Sequence, residues 1–265
     1  MKAQNNGRIL GAELVGTTVL MLGGPGVAIL QPEVGYLGIS LGFGFSLMII
    51  VYCLGPVSGG HINPAVTLGM FLARKINLAH ALFAWTGQIL GCVLGATIVY
   101  SIASGQQGYE RGQFAANLWT APDGRYFGIA STIVVEVLLT ALLVLVWLFT
   151  TTRKFAPAMG GLTVGITLAL IHMISIQVDA TGVNPARSLG TALFADPSFE
   201  ALQQLWAFIV FPLIGAALGV LLWITLDESR LEDTLLVKVP GFIDARDKFE
   251  IGTLEAVDHI EDVID

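Results

Sequence analysis

Two identical triplets, Asn63-Pro64-Ala65 and Asn184-Pro185-Ala186, stand 121 residues apart in a chain of 265. Proline suits the first position of a helix, where its missing N–H costs nothing, and Asn is among the preferred N-caps, so each triplet is a helix start. Two such starts facing one another would gather two positive dipole ends, roughly +0.5 elementary charge apiece, and two side-chain amides. That arrangement repels cations and protons. A capping Asn spends its oxygen on the backbone and leaves its NH₂ to donate, so a water between Asn63 and Asn184 can accept from both. Its own hydrogens then point away, and a proton-conducting chain of waters is interrupted. The residues before the corners, Gly59-Gly60-His61-Ile62 and Ala180-Thr181-Gly182-Val183, would run extended and turn carbonyls toward the same path. Irregular backbone at membrane depth is tolerated where it lines a cavity or is buried in protein. Arg187 follows the second corner directly, and an arginine at that depth faces a polar cavity by default.

The elements that must carry these residues are apolar. Of the chain, 54% is hydrophobic and 12% charged, against about 25% charged in an ordinary soluble domain. Six runs are long enough to cross about 30 Å of hydrocarbon: 9–30, 36–54, 79–103, 127–149, 156–178 and 205–226. The first is too long, and lacks the cleavage site, to be a signal peptide. Two shorter apolar pieces, 65–73 and 186–194, follow the triplets and cannot span. Short apolar segments in corresponding places of two halves point to half-helices meeting at a midplane site.

The halves match elsewhere. Glu13 and Glu136 are 123 apart, each in the first span of its half, and Gly91 and Gly95 match Gly215 and Gly219 at 124. Repeats at about 8–103 and 127–226, with three spans each, must be inverted relative to one another. The glycine rows let helix backbones approach closely. Lys2, Arg8, Arg74, Lys75, Arg153, Lys154 and Arg230 fall on one side of the membrane against Arg111, Arg125 and Arg187 on the other. Seven against three places both termini in the cytoplasm.

The corners in this setting make the chain resemble the aquaporins, or major intrinsic proteins. The resemblance covers about residues 8–226, through SGGHINPAVT at 58–67, TGVNPARS at 181–188, AELVGT at 12–17 and VEVLLT at 135–140, and is closest to the bacterial water-channel branch, including IHMISI at 171–176. It implies an all-α membrane bundle of six transmembrane helices plus two half-helices in an inverted repeat, conducting water, with glycerol or another small neutral solute as the alternative. It also implies a homotetramer with one pore in each subunit. Arg187 would be one member of a four-residue constriction whose others fall at Phe43, His172 and Thr181. His172 would set a polar edge opposite Phe43 and fill volume that a glycerol chain needs, and Ser188, where glycerol-conducting relatives have Asp, also points toward water. Glu13 and Glu136, the two acids inside the spans, would accept from backbone N–H groups of the half-helix loops. Proton coupling, as in a secondary transporter, is the rival role for them, and a non-conducting scaffold is a third class. The chain departs from the pattern at Pro25, Pro56 and Ile209.

Several classes are excluded. The tail, residues 227–265, holds twelve of the twenty acids and four of the thirteen bases, a net −8, which leaves +1 for residues 1–226. That balance excludes a basic nucleic-acid binder, and the apolar content excludes a disordered chain. Cys53 and Cys92 lie in apolar runs and suggest neither a disulfide framework nor a zinc site. No nucleotide loop, catalytic triad or metal cluster points to an enzyme or a cofactor. His61 reads as a local hydrogen-bonding post, and His80 and His259 are isolated. In the tail, Leu254, Val257, Ile260 or Glu261, and Ile264 are spaced like one face of a short amphipathic helix. Such an acidic helix would dock on a basic patch of this or another protein; the alternative is a solvated extension.

Overall fold

Within a bilayer the apolar runs must satisfy every backbone polar group internally, and the helix does this within one segment. The computed structural model describes residues 5–120, 127–152, 155–156, 158–196, 198–227 and 235. Among them are ten α-helices and no strand: α1 (Asn6–Gly23), α2 (Pro25–Leu30), α3 (Gly35–Ser58), α4 (Pro64–Leu72), α5 (Leu78–Ala103), α6 (Gly128–Thr150), α7 (Gly160–Asp179), α8 (Pro185–Ala192), α9 (Ser198–Gln204) and α10 (Ala207–Leu226). Among the described residues six units are long and apolar enough to cross a membrane, α1 with α2 and α9 with α10 each counting as one. The proposed amphipathic face in the tail lies outside the described residues.

Local chemistry sets the boundaries. Pro25 has no N–H to continue α1, so the chain breaks at Gly24 (φ −96°, ψ −87°) and restarts with proline at the first helical position. The second span runs past its expected end at residue 54, through Pro56 to Ser58, and stops where Gly59 turns left-handed (φ 91°). The fifth ends at Asp179, where Ala180 does the same (φ 62°). This brings Asp179, outside the expected span, in as a third buried acid beside Glu13 and Glu136. At 1.5 Å per residue, α4 and α8 rise only about 13 Å, less than half the hydrocarbon thickness.

The two halves pack alike. α1 lies along α5 and α6 along α10, and α3 crosses α7. Glycine is required where backbones touch: a Cβ on Gly91 would run into the Leu14 carbonyl and one on Gly215 into the Val137 carbonyl. Gly44 and Gly165, 121 apart, face one another, each blocking a Cβ on the other with its own carbonyl oxygen. The α3–α7 crossing therefore lies on the pseudo-twofold axis of the inverted repeat.

We expect Gly91→Val to destabilise the bundle by about 3 kcal/mol or more, because rigid backbone must move. Gly11→Ala, where nothing lies within 4 Å of the added carbon, should be close to neutral. Melting of purified protein in detergent, followed by size exclusion, separates the two.

Apolar side chains cover the outside: Leu82, Ile89 and Leu90 on α5, Val134 and Leu138 on α6, and Ile166, Leu170 and Ile174 on α7 are all exposed. Inside are polar groups, including Glu13, Gln88, His61, Glu136 and Arg187. A water-soluble protein is arranged the other way round. The chain is an integral multi-pass membrane protein.

Candidate functional site

Both corners are built by the same local rules. Asn63 Oδ1 accepts from Ala65 N at 2.9 Å, and Asn184 Oδ1 accepts from Ala186 N at 3.1 Å and Arg187 N at 3.2 Å. Each Asn caps the helix that its Pro begins. The amides then reach across the repeat: Asn63 Nδ2 donates to Val183 O at 2.7 Å, and Asn184 Nδ2 donates to Ile62 O at 2.9 Å. An amide NH₂ carries two hydrogens. One from each Asn is thus committed to the opposite corner, which corrects the expectation of a wholly free NH₂. One per Asn is left without a partner among the described residues.

Ile62 and Val183 are β-branched residues in the left-handed region (φ 44° and 45°), a conformation that costs of order 1–2 kcal/mol. Their N–H groups are held by carboxylates. Glu13 Oε2 accepts from Ile62 N at 2.6 Å and Oε1 from His61 N at 2.9 Å; Glu136 Oε2 accepts from Val183 N and Oε1 from Gly182 N, both at 2.7 Å. Glu13 also takes Ser58 Oγ and Gln88 Nε2, each at 2.7 Å. Trp85 Nε1 donates to Pro64 O at 3.2 Å, and Thr67 Oγ1 lies 3.3 Å from His61 Nδ1. Nothing in this cluster resembles a metal centre; among the described residues no group of three His, Cys, Asp or Glu could hold an ion.

A small cavity lies at the corners, lined by His61, Asn63, Asn184, Val66, Trp147 and Leu168. A second opens on the face where α5 and α7 end, lined by Gln113, Gln177, Asp179 and Ala180. Phe43, His172, Thr181 and Arg187 are each at most 2% exposed. The Phe43 and His172 rings stack with centroids 3.7 Å apart and planes 22° apart. His172 therefore does not sit opposite Phe43 across an opening. The two rings form one stacked unit. The Arg187 guanidinium carbon is 5.4 Å from the Phe43 centroid.

The polar groups of this cluster are oriented. His172 Nδ1 is 2.9 Å from the Leu168 carbonyl, which can only accept, so the proton of a neutral ring sits on Nδ1. Nε2 is then an acceptor, buried and without a partner among the described residues. Arg187 Nη1 donates to Ala115 O at 2.8 Å, Asn117 Oδ1 at 2.7 Å and Thr191 Oγ1 at 3.2 Å; Nη2 donates to Ala180 O at 3.0 Å. Its Nε–H is unpaired among the described residues. One unused acceptor and one unused donor, both buried, could serve a small molecule that both gives and takes hydrogen bonds. Of the eight carbonyls before the corners, those of Ile62, Val183 and Ala180 already have donors.

Asn117 carries no sequence signal, because its contacts to Arg187 and Ser188 lie 70 and 71 residues away. Gln88 did carry one: a glutamine beside the Gly87–Gly91 row of an apolar span needs a buried partner.

The family model described as "Major intrinsic protein" matches residues 1–223. A Brucella melitensis protein named Aquaporin Z is 40% identical over 219 residues, 81% of this chain and 95% of the relative. One of the same name from Photorhabdus laumondii is 39% identical over 219 residues, 80% and 94% of the two chains. Among solved structures, the aquaglyceroporin of Plasmodium falciparum superposes with a TM-score of 0.75 over 84% of this chain and 97% of that one; at 21% identity it speaks for the fold alone. With its family match running through both corners and all six spans, the chain belongs to the major intrinsic protein family.

Proposed function

We propose that the protein is a passive water channel, in which water crosses in single file down an osmotic gradient while protons and ions are excluded. The observation that carries this is the crossed pair of corner amides, which leaves one donor from each repeat at the midplane. The Aquaporin Z relatives at about 40% identity support the same reading. Asn63-Pro64-Ala65 and Asn184-Pro185-Ala186 orient the water, the free carbonyls of 59–62 and 180–183 lead it in and out, and Phe43, His172, Thr181 and Arg187 select it by size and hydrogen bonding. Glu13 and Glu136 are supports of the loops and not proton carriers, since every carboxylate oxygen already holds a backbone N–H. No enzymatic step, metal or cofactor enters this reading. A glycerol path is the weaker alternative, because the Phe43–His172 stack fills the place of its carbon chain.

In this reading residues 1–226 are the channel domain and 227–265 an acidic cytoplasmic tail available to a protein partner. The assembly is a homotetramer in lipid with one pore per subunit, in a plasma or bacterial inner membrane, with both termini cytoplasmic. Reconstituted in liposomes and followed by light scattering after an osmotic jump, the protein should give fast water flux, with glycerol flux and the signal of an internal proton-sensitive dye at the level of empty liposomes. Saturable or proton-driven flux would favour a transporter, and comparable glycerol flux would overturn the constriction assignment.

A further inference from the structure

The two repeats differ in one buried side chain beside the corners. At the end of α3, Ser58 Oγ accepts from Gly60 N at 3.1 Å and donates to Glu13 Oε1 at 2.7 Å. The position 121 residues on, at the end of α7, is Asp179, whose Oδ1 accepts from Thr181 N at 3.0 Å in the same i to i+2 manner. No hydrogen bond joins it to Glu136 among the described residues, so it copies only half of what Ser58 does. Asp179 is 3% exposed, its Oδ2 has no hydrogen-bond partner among the described residues, and Thr132, Glu136 and Arg187 are the side chains that act on it. A carboxylate is expensive to bury, and the midplane corner does not use this one.

The turn that Asp179 caps leads to the far-side constriction. The Asp179 carbonyl accepts from Asn117 Nδ2 at 3.0 Å, and Asn117 Oδ1 accepts from Arg187 Nη1 at 2.7 Å. Ala180 (φ 62°) turns its carbonyl onto Arg187 Nη2 at 3.0 Å. Thr181 (φ 50°) has its hydroxyl 2.8 Å from Ser175 Oγ. Two successive non-glycine residues with positive φ need an external hold, and the Asp179 carboxylate supplies it at Thr181 N.

We propose that Asp179 is a positioning residue for solute selectivity: by holding Thr181 N it keeps the 179–181 turn in the form that fixes Arg187 and Thr181 in the constriction. The inference rests on the water-channel reading, and wild-type water flux in the same liposomes tests that reading separately. Asp179→Ala removes the acceptor, and Asp179→Glu keeps the charge but displaces the acceptor by a methylene. Both should raise the glycerol-to-water permeability ratio about fivefold. Asp179→Asn keeps an acceptor oxygen in place and should stay within about twofold of wild type. A role in stability alone would lower the yield of folded protein without moving this ratio. Conducting wild type with an unchanged ratio in Asp179→Glu and in whatever Asp179→Ala is recovered would overturn the proposal. So would Asp179→Asn shifting as far as Asp179→Ala while Asp179→Glu stays at the wild-type ratio, because charge and not the backbone bond would then be responsible.

Discussion

Glu13→Ala should lose the fold before it loses flux. The carboxylate is fully buried and accepts from Ser58 Oγ, His61 N, Ile62 N and Gln88 Nε2. Hydrogen bonds to a charged acceptor are worth about 1.5–3 kcal/mol each. Even if water entering the cavity recovers half of that, about 3–6 kcal/mol is lost, against a total stability of roughly 5–15 kcal/mol. The strained Ile62 backbone loses its hold at the same time. Glu136 has fewer donors, Gly182 N and Val183 N, so Glu136→Ala should be the milder change. Melting temperatures of the two variants in one detergent test the order, and equal stability of Glu13→Ala and wild type would remove the support role. The glutamine variants should fall between, because each keeps one accepting oxygen.

His172→Gly should convert selectivity without harming proton exclusion. The imidazole stacks on Phe43 and is tied to the Leu168 carbonyl, whereas Arg187 is held by Ala115, Asn117, Ala180 and Thr191 and needs nothing from His172. Removing the ring therefore widens the passage and leaves the guanidinium in place. Glycerol permeability should rise on the order of a hundredfold, the upper range of what pocket size alone discriminates, with water flux at least maintained. Protons should remain excluded, because the barrier at the crossed Asn amides lies elsewhere. Parallel glycerol, water and proton measurements on one liposome preparation read all three. Glycerol flux still at the level of empty liposomes would show that the constriction is set by other residues.

Much of this architecture could be read from residue order, and the reason is physical. A bilayer demands long apolar runs, so six spans stand out, and a proline after an asparagine marks a helix start wherever it occurs. The offset of 121 between the corners relates Ile62 to Val183 and Gly44 to Gly165 as well, so the inverted repeat was also legible. Less legible was anything set by rotation about a side-chain bond. That Phe43 and His172 stack as one wall instead of facing across a gap follows from side-chain packing, which periodicity does not report. The second use of each Asn amide needs the opposite repeat in place to be seen. Asp179 escaped notice because an apolar-run criterion ends at Val178, while the helix continues until Ala180 turns left-handed. Asn117 lies in a loop, where polar residues are ordinary.

The crossed amides also have a consequence for how the chain is made. Asn63 and Val183 are 120 positions apart, and Asn184 and Ile62 are 122 apart. At about 5–20 residues per second, the ribosome delivers the second corner roughly 6–24 s after the first. Through that interval the first corner has its own cap and its Glu13 anchor, but the Ile62 carbonyl and the Asn63 amide still await their partners. The midplane is thus closed by the late arrival of the second repeat, and a nascent chain halted before residue 183 would hold two unsatisfied polar groups at membrane depth. Biogenesis, and not only permeation, depends on both halves meeting there.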